Sequence, residues 1–161
     1  MIDITTEALL KILLATDGTK YSEAAADMVA KLRLDNEDSV RVVSVVDMAV
    51  PLAVDIYGGY LPDTTELEKT ARESAAKVVE DAMARLTAKL QPDGVTIDGD
   101  VLYGSPDSRI VETAEDIHAD MIVIGSHGYK RWERLLLGSV SNSVVHHAHC
   151  SVMVVRTDAA E

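Results

Sequence analysis

Short apolar runs alternate along this chain with longer stretches in which apolar residues recur every three or four positions. Lys11–Thr16 is an apolar run ending at Asp17-Gly18, the pattern of a buried strand followed by a turn. From Thr19, an N-cap residue type, Ala25, Met28, Val29 and Leu32 recur at helical spacing and predict a helix reaching Asn36. Val40–Val46 is rich in β-branched residues and predicts a second strand. Asp47–Pro62 is a long connection holding Pro51, Gly58-Gly59 and Pro62. Beyond it, Leu67, Ala71, Ala75, Val78, Ala82, Leu86 and Leu90 lay an apolar stripe along a long helix, with Lys69, Arg72, Glu73, Lys77 and Glu80 off the stripe. Thr65 and Glu68 have capping-box spacing at its start, and Gln91-Pro92-Asp93-Gly94 stops it. Val95–Tyr103 alternates as a third strand. Pro106 then suits a first helical position, with Ile110, Val111, Ala114 and Ile117 as the helix's apolar face. Met121–Ile124 is a short strand running into Gly125, and Ser126–Leu137 is a loop with a helical middle. Ser139–His147 is a short helix, and Val152–Val155 a last strand before an acidic tail.

Five strands thus alternate with four helices. That order argues for one α/β domain over residues 1–161, a doubly wound, Rossmann-like parallel sheet with helices on both faces and a frayed tail at 157–161. In such a sheet ligands bind beyond the carboxyl ends of the strands, where the winding reverses. Three sets of residues follow strands there: Thr16-Asp17-Gly18, Val45-Val46-Asp47 and Gly125-Ser126-His127-Gly128; Gly138-Ser139 opens the last helix. Two glycines three apart let the backbone approach a ligand with no Cβ in the way. A Gly-Ser helix start presents free N–H groups and a positive dipole end, which suits phosphate. Asp17 stands where an acid accepts hydrogen bonds from ribose hydroxyls or helps hold a divalent metal. Each element alone also reads as a turn or a cap; their coincidence at strand ends points to a nucleotide.

Charge sharpens the picture. The 161-residue chain is 47 % hydrophobic and 26 % charged, ordinary for a globular protein, but its net charge is −12. That argues against non-specific nucleic-acid binding, which needs cationic surface. Adaptation to high salt and ordinary acidity both accommodate it. The distribution says more than the total: residues 1–121 carry eleven basic and twenty-four acidic groups, whereas residues 122–156 carry Lys130, Arg131, Arg134 and Arg156 against Glu133 alone. The one basic stretch is where an anion is welcome. A single cysteine, Cys150, excludes an intrachain disulfide and fits a reducing compartment. Leu9–Ala15 is too short and too interrupted by Lys11 for a signal peptide, and Leu135–Val155 is too polar to span a bilayer. The expectation is a soluble, cytoplasmic protein without membrane or nucleic-acid partners.

Gly125-x2-Gly128-x9-Gly138-Ser139 resembles the nucleotide-binding signature of the universal stress protein family, in its ATP-binding branch. The flanks agree: Ile122-Val123-Ile124-Gly125-Ser126-His127-Gly128, Leu136-Leu137-Gly138-Ser139-Val140-Ser141, Lys11–Gly18 and Val152-Met153-Val154-Val155-Arg156 all read as that family does. The resemblance implies strand order 3-2-1-4-5, with Asp17 brought beside Gly125. It implies that Ala15 lines an adenine pocket with Thr16 beside it, that Asp17 faces the ribose and that the Val45 backbone reads the adenine edge. Gly125, Ser126, His127 and Gly128 would wrap ribose and phosphates, with Arg131 bordering the phosphates. Gly138, Ser139, Val140 and Ser141 would supply backbone and hydroxyl donors to the phosphate chain of ATP or another adenine nucleotide. Mg²⁺ or Mn²⁺ would be held mainly by those phosphates, with Asp17 as a candidate ligand. The implied role is a stress-response regulatory protein, a homodimer with room for a further protein partner. Two positions depart from the pattern: Cys150-Ser151 replaces a proline before the last strand, and Ala15 stands where some ATP-binding relatives carry proline.

Other readings compete. His146, His147, His149 and Cys150 invite a metal, yet the two adjacent histidines point apart on a helix and no second cluster closes a tetrahedral site, so a solvated or interface cluster is expected. His127 reads as an acid or base on phosphate, or as a structural or purine contact. Trp132 with Leu135-Leu136-Leu137 reads as a partner surface or as packing on the sheet. An edge position for Val152–Val155 would expose unpaired backbone, which pairing across a two-fold axis covers. The alternatives to a regulatory binder are a slow ATPase or phosphotransferase and a structural dimer that binds no nucleotide. The chain lacks Gly-x4-Gly-Lys-Ser/Thr and an evident base for water, so no catalytic residue is assigned. It also lacks the aspartate ending strand three of a receiver domain and the Gly-x-Gly-x-x-Gly of a dinucleotide enzyme.

Overall fold

The computed structural model describes residues 9–47, 65–90, 94–127 and 137–157. Lys11–Ala15 forms β1, whose Ile12, Leu13 and Leu14 are at most 1 % exposed because helices cover both sides of the strand. β2 (Ser39–Asp47) and β4 (Met121–Gly125) flank it, and β3 (Thr96–Gly104) and β5 (Ser151–Val155) form the edges. All five are parallel, in the order β3-β2-β1-β4-β5. Side chains alternate across a strand, so Ile12 and Leu14 enter one core and Leu13 and Ala15 the other. On the first face, Val40, Val42 and Val123 pack with α1 (Lys20–Val29) and α2 (Thr65–Leu90) through Val29, Val79 and Leu86. On the second, Val43, Ile122 and Ile124 pack with α3 (Pro106–Asp116) and α4 (Ser139–His147) through Ile110, Ala114 and Val144. Burial on both faces explains why these strands are continuous apolar runs.

The winding reverses at β1, with β2 on one side and β4 on the other. At the amino-terminal edge two aspartates close the sheet around β1. Asp38, 7 % exposed, accepts the Leu10 N–H at 2.7 Å and the Asp35 N–H at 3.0 Å. Asp120 accepts the Lys11 N–H at 2.8 Å. These bonds tie the starts of β2 and β4 to the start of β1.

α1 is shorter than its spacing predicts, ending at Val29 with Ala30 as C-cap rather than at Asn36. The chain must return to β2: Leu32 N–H turns back to Val29 O, Leu34 is drawn into the core, and Asp38 holds Asp35. Tertiary packing overrides helical propensity here. In α2 the buried residues are Ala75, Val79, Ala82, Leu86 and Leu90. The predicted stripe is thus met only from Ala75 onward, with Val79 rather than Val78 fully buried. Leu67 is 79 % exposed and Ala71 is also exposed, because the first turns of α2 overhang the carboxyl end of the sheet.

α3 ends in a Schellman motif without glycine. His118, at φ 52, donates to Glu115 O, and Ala119 N–H reaches Ala114 O at 2.8 Å. A left-handed conformation strains any residue with a Cβ, and His118 is exposed. Relief of that strain is worth about 1–2 kcal/mol and the added freedom of the unfolded chain costs about 0.4–1 kcal/mol, so His118→Gly is expected to stabilise the fold by about 0.5–1 kcal/mol net. A rise in melting temperature is the check; a fall means that the imidazole holds the turn.

Candidate functional site

A cleft of about 700 Å³ opens at the carboxyl end of the sheet. Ala15, Val43 and Ile124 form its floor, the ends of β1, β2 and β4 its rim, and α2, α3 and α4 supply walls. The size suits a small organic ligand. The β1–β2 ladder ends with Ala15 opposite Val43, and Thr16 N–H closes it on Val43 O at 2.9 Å. Val45, two residues on, turns its N–H and C=O to the same side, past the last residue of β1 and into the cleft. A flat heterocycle with one donor and one acceptor on an edge fits such a strand end.

Asp17 is held by the start of α1. Its Oδ1 accepts the Thr19 N–H (3.0 Å) and the Thr19 hydroxyl (2.7 Å), while Thr19 Oγ accepts the Ser22 N–H as the N-cap. Gly18 takes φ 77 to make this turn, a conformation natural to glycine. On the far side, Gly138 caps α4 with extended backbone, φ −69 and ψ 162, and donates to Ser126 O at 2.7 Å. The first bond inside α4 is Asn142 N–H to Gly138 O, so the N–H groups of Ser139, Val140 and Ser141 leave the helix end toward the cleft they line.

The charges decide where an anion goes. Every described helix follows a strand, so the positive ends of α1, α3 and α4 gather near this end of the sheet. α1 carries the Thr19 cap and Glu23, α2 carries Glu66 and Glu68, and α3 carries Asp107 in its first turn. α4 alone among the four has neither an acidic residue there nor a side-chain cap. Among the described lining residues Asp17, Asp47 and Asp107 are the carboxylates, and there is no lysine or arginine. Among the described residues, the start of α4 is the helix end at the cleft with no carboxylate beside it, an arrangement that suits an anion.

The model of the universal stress protein family matches residues 9–156. The chain belongs to that family. Universal stress protein MJ0531 of Methanocaldococcus jannaschii is 33 % identical over 151 residues, covering 94 % of this chain and 84 % of the relative. The solved hypothetical protein MJ0577 superposes with a TM-score of 0.68 at 27 % identity, over 94 % of this chain and 98 % of the other. Two more distant folds carry ligands. An Arabidopsis thaliana family protein with AMP bound (TM-score 0.63, 17 % identity) covers 93 % of both chains, and a universal stress protein in complex with cAMP (0.62, 18 %) spans 93 % of this chain and 98 % of its own.

The universal stress protein signature is brought together as far as it is described. Ala15, Thr16, Asp17, Val45, Gly125, His127, Gly138, Ser139, Val140 and Ser141 line or border the cleft. Gly128 and Arg131, with Lys130, Trp132 and Arg134, lie outside the described residues. Three roles differ from a plain reading of the signature. A Cβ on Gly125 would stand 2.7 Å from Tyr21 C and 2.9 Å from Ser22 N, so this residue is glycine because α1 packs backbone against β4 there. Ser126, 1 % exposed, works inward: its N–H donates to Val155 O and its carbonyl accepts from Gly138. The Ser141 hydroxyl is shared between Ser126 O (3.1 Å) and Gly138 O (3.0 Å), so it braces the loop rather than facing outward, and its N–H is the group left for a ligand.

His127 lies at the lip, Nδ1 3.0 Å from Ser126 Oγ and its ring 5.2 Å from the Tyr21 ring. The distal histidines make local contacts: His146 and His147 each place Nδ1 2.8 Å from the carbonyl four residues back, and His149 pairs with Glu115. No group of three metal-ligating side chains forms among the described residues. Burial pushes the Cys150 thiol above its ordinary pKa. Sequence reasoning passed over Ser105, Asp107 and Ile110, and Ala71, Ser74 and Val78, all of which line the cleft. The first group follows β3 as the recognised sets follow their strands, which was signal enough; the α2 wall depends on how far that helix projects, which spacing does not encode.

Proposed function

We propose that this protein binds ATP or another adenine nucleotide and acts as a stress-response regulatory protein, in the nucleotide-binding branch of its family. The observation carrying this is the start of α4, which has neither a side-chain cap nor an acidic residue and opens to a cleft lined also by Asp17 before α1 and Asp107 in α3. The base would lie over Ala15 with its edge on the Val45 backbone, the ribose at Asp17 and Gly125, and the phosphates at Gly138, Ser139, Val140 and Ser141. Gly128 and Arg131 would complete the phosphate side from outside the described residues. The AMP and cAMP held by the two distant relatives support an adenine nucleotide over other anions.

Mg²⁺ or Mn²⁺ would ride on the phosphates. Asp17 fits such an ion through its second oxygen, since Oδ1 serves Thr19. The chain acts as one nucleotide-binding unit and pairs with a second copy through β5, an edge strand whose Val152, Met153 and Val154 are only half-buried. A cytoplasmic setting fits the free, half-buried Cys150. Among the described residues no helix is long and apolar enough to cross a membrane.

Mass spectrometry of the protein under native and then denaturing conditions tests the reading. The expected result is a released adenine nucleotide, or saturable uptake of added ATP, AMP or cAMP by stripped protein. Protein that emerges empty and takes up none of the three counts against it.

A further inference from the structure

The cleft has a second wall, toward α1 and α2, to which the family signature gives almost no part. Side chains alternate across a strand, so Thr16 and Ser44 follow Leu14 and Val42 onto the α1/α2 face, opposite the face that holds α4. Both line the cleft. Ala15 pairs with Val43, so the residues that follow them, Thr16 and Ser44, stand side by side, about 5 Å apart.

Ser44 is 5 % exposed, and its hydroxyl has no hydrogen-bond partner among the described residues. α2 explains why. Val79 packs tightly over β2 and β3, since a Cβ on Gly99 would stand 2.5 Å from Val79 Cγ1 and 3.2 Å from Val42 O. One helical turn nearer the carboxyl end of the sheet, the buried Ala75 comes to the level of Ser44. An alanine methyl offers a hydroxyl no partner. Burying a hydroxyl that bonds to nothing is unfavourable, so this one points to a ligand.

Thr16 restricts what that ligand is. The Thr19 carbonyl can only accept, so the Ser22 hydroxyl donates to it at 2.9 Å, and Ser22 Oγ in turn accepts the Thr16 hydroxyl at 3.2 Å. The Thr16 proton is committed, and Thr16 offers the cleft lone pairs alone, whereas Ser44 can donate or accept. One compact group satisfies both neighbours: a primary amide, its N–H to Thr16 and its oxygen accepting from Ser44. A carboxylate of the same shape would set lone pairs against those of Thr16. Ala71, Ala75 and Val78, which line the same cleft, suit a short apolar body.

We propose that the α1/α2 side of the cleft is a second binding site, for a small neutral carboxamide anchored by Ser44 and Thr16. It stands independently of the nucleotide reading, with Thr16 bordering both sites.

The test uses isobutyramide and its carboxylate counterpart isobutyrate as probes on the intact protein, read by backbone amide chemical shifts with and without saturating AMP. Isobutyramide is expected to shift Thr16, Ser44 and Ala75 saturably in the millimolar range, whether or not AMP is bound. Isobutyrate should bind at least about fivefold more weakly, and Ser44→Ala should weaken isobutyramide by about three- to tenfold. Ser44→Ala should also melt no lower than the wild type, because the hydroxyl it removes bonds to nothing in the fold. A clearly lower melt, or an unchanged isobutyramide affinity, overturns the site. Shifts centred on Val45 that vanish when AMP is added also overturn it, while the nucleotide reading stands. Isobutyramide bound at Ser44 in protein that takes up no AMP keeps this site and removes the nucleotide reading instead.

Discussion

Ser139→Pro is expected to weaken nucleotide binding by about ten- to a hundredfold while leaving the melting temperature nearly unchanged. Ser139 is the first residue of α4, where the N–H has no partner inside the helix and proline's fixed φ is welcome. The residue before a proline must be extended, and Gly138 already is, at φ −69 and ψ 162. The substitution therefore removes one N–H and one hydroxyl from the cleft at almost no cost to the fold. A hydrogen bond to a charged group contributes about 1.5–3 kcal/mol, and 1.4 kcal/mol is about tenfold in affinity. Ser139→Ala, which keeps the N–H, separates the two losses. Titration of both variants with the same nucleotide, beside their thermal melts, is the measurement. Equal affinities for the proline and alanine variants would remove the backbone donor from the account.

Gly125→Ala should do the opposite, damaging the fold first. The added methyl would sit 2.9 Å from Tyr21 Cβ, and 2.7 Å from Tyr21 C and 2.9 Å from Ser22 N, atoms of a helix backbone that cannot swing aside. Overpacking of this kind costs about 1–3 kcal/mol, and here the upper end applies because backbone must move. For a chain of this size that lowers the melting temperature by about 6–12 °C, read by thermal or urea denaturation. Were the glycine there to clear room for a ligand, the variant would keep its stability and lose affinity alone. A melt matching the parent would restore that simpler reading.

These two glycines show what the linear text conveys and what it hides. The spacing of Gly125 and Gly138 marks the site, because both stand where strands end and a helix begins. It cannot say that Gly125 answers to α1 across the sheet, since nothing near Gly125 in sequence mentions Tyr21. The strands and the start of α4 are legible because burial on two faces writes continuous apolar runs, and Gly138-Ser139 is a helix start on any reading. The true end of α1 is not, because Leu34 and Asp38 pull the chain out of a helix that its own spacing would continue. Asp107 escapes notice for a related reason: its carboxylate is held by Ser143, thirty-six residues away, and a lone acid in a first turn looks like dipole chemistry and nothing more.

The overhang of α2 has its own consequence. Core duties in that helix begin at Ala75, while the exposed Ala71, one turn earlier, and Ser74, the residue just before, line the cleft. Exchanging either side chain reshapes the ligand wall without opening a hole in the protein. Ala75 serves cleft and core together and Val78 lines the cleft a turn further on, but at Ala71 and Ser74 a lineage can revise what it recognises while its robustness to heat stays put.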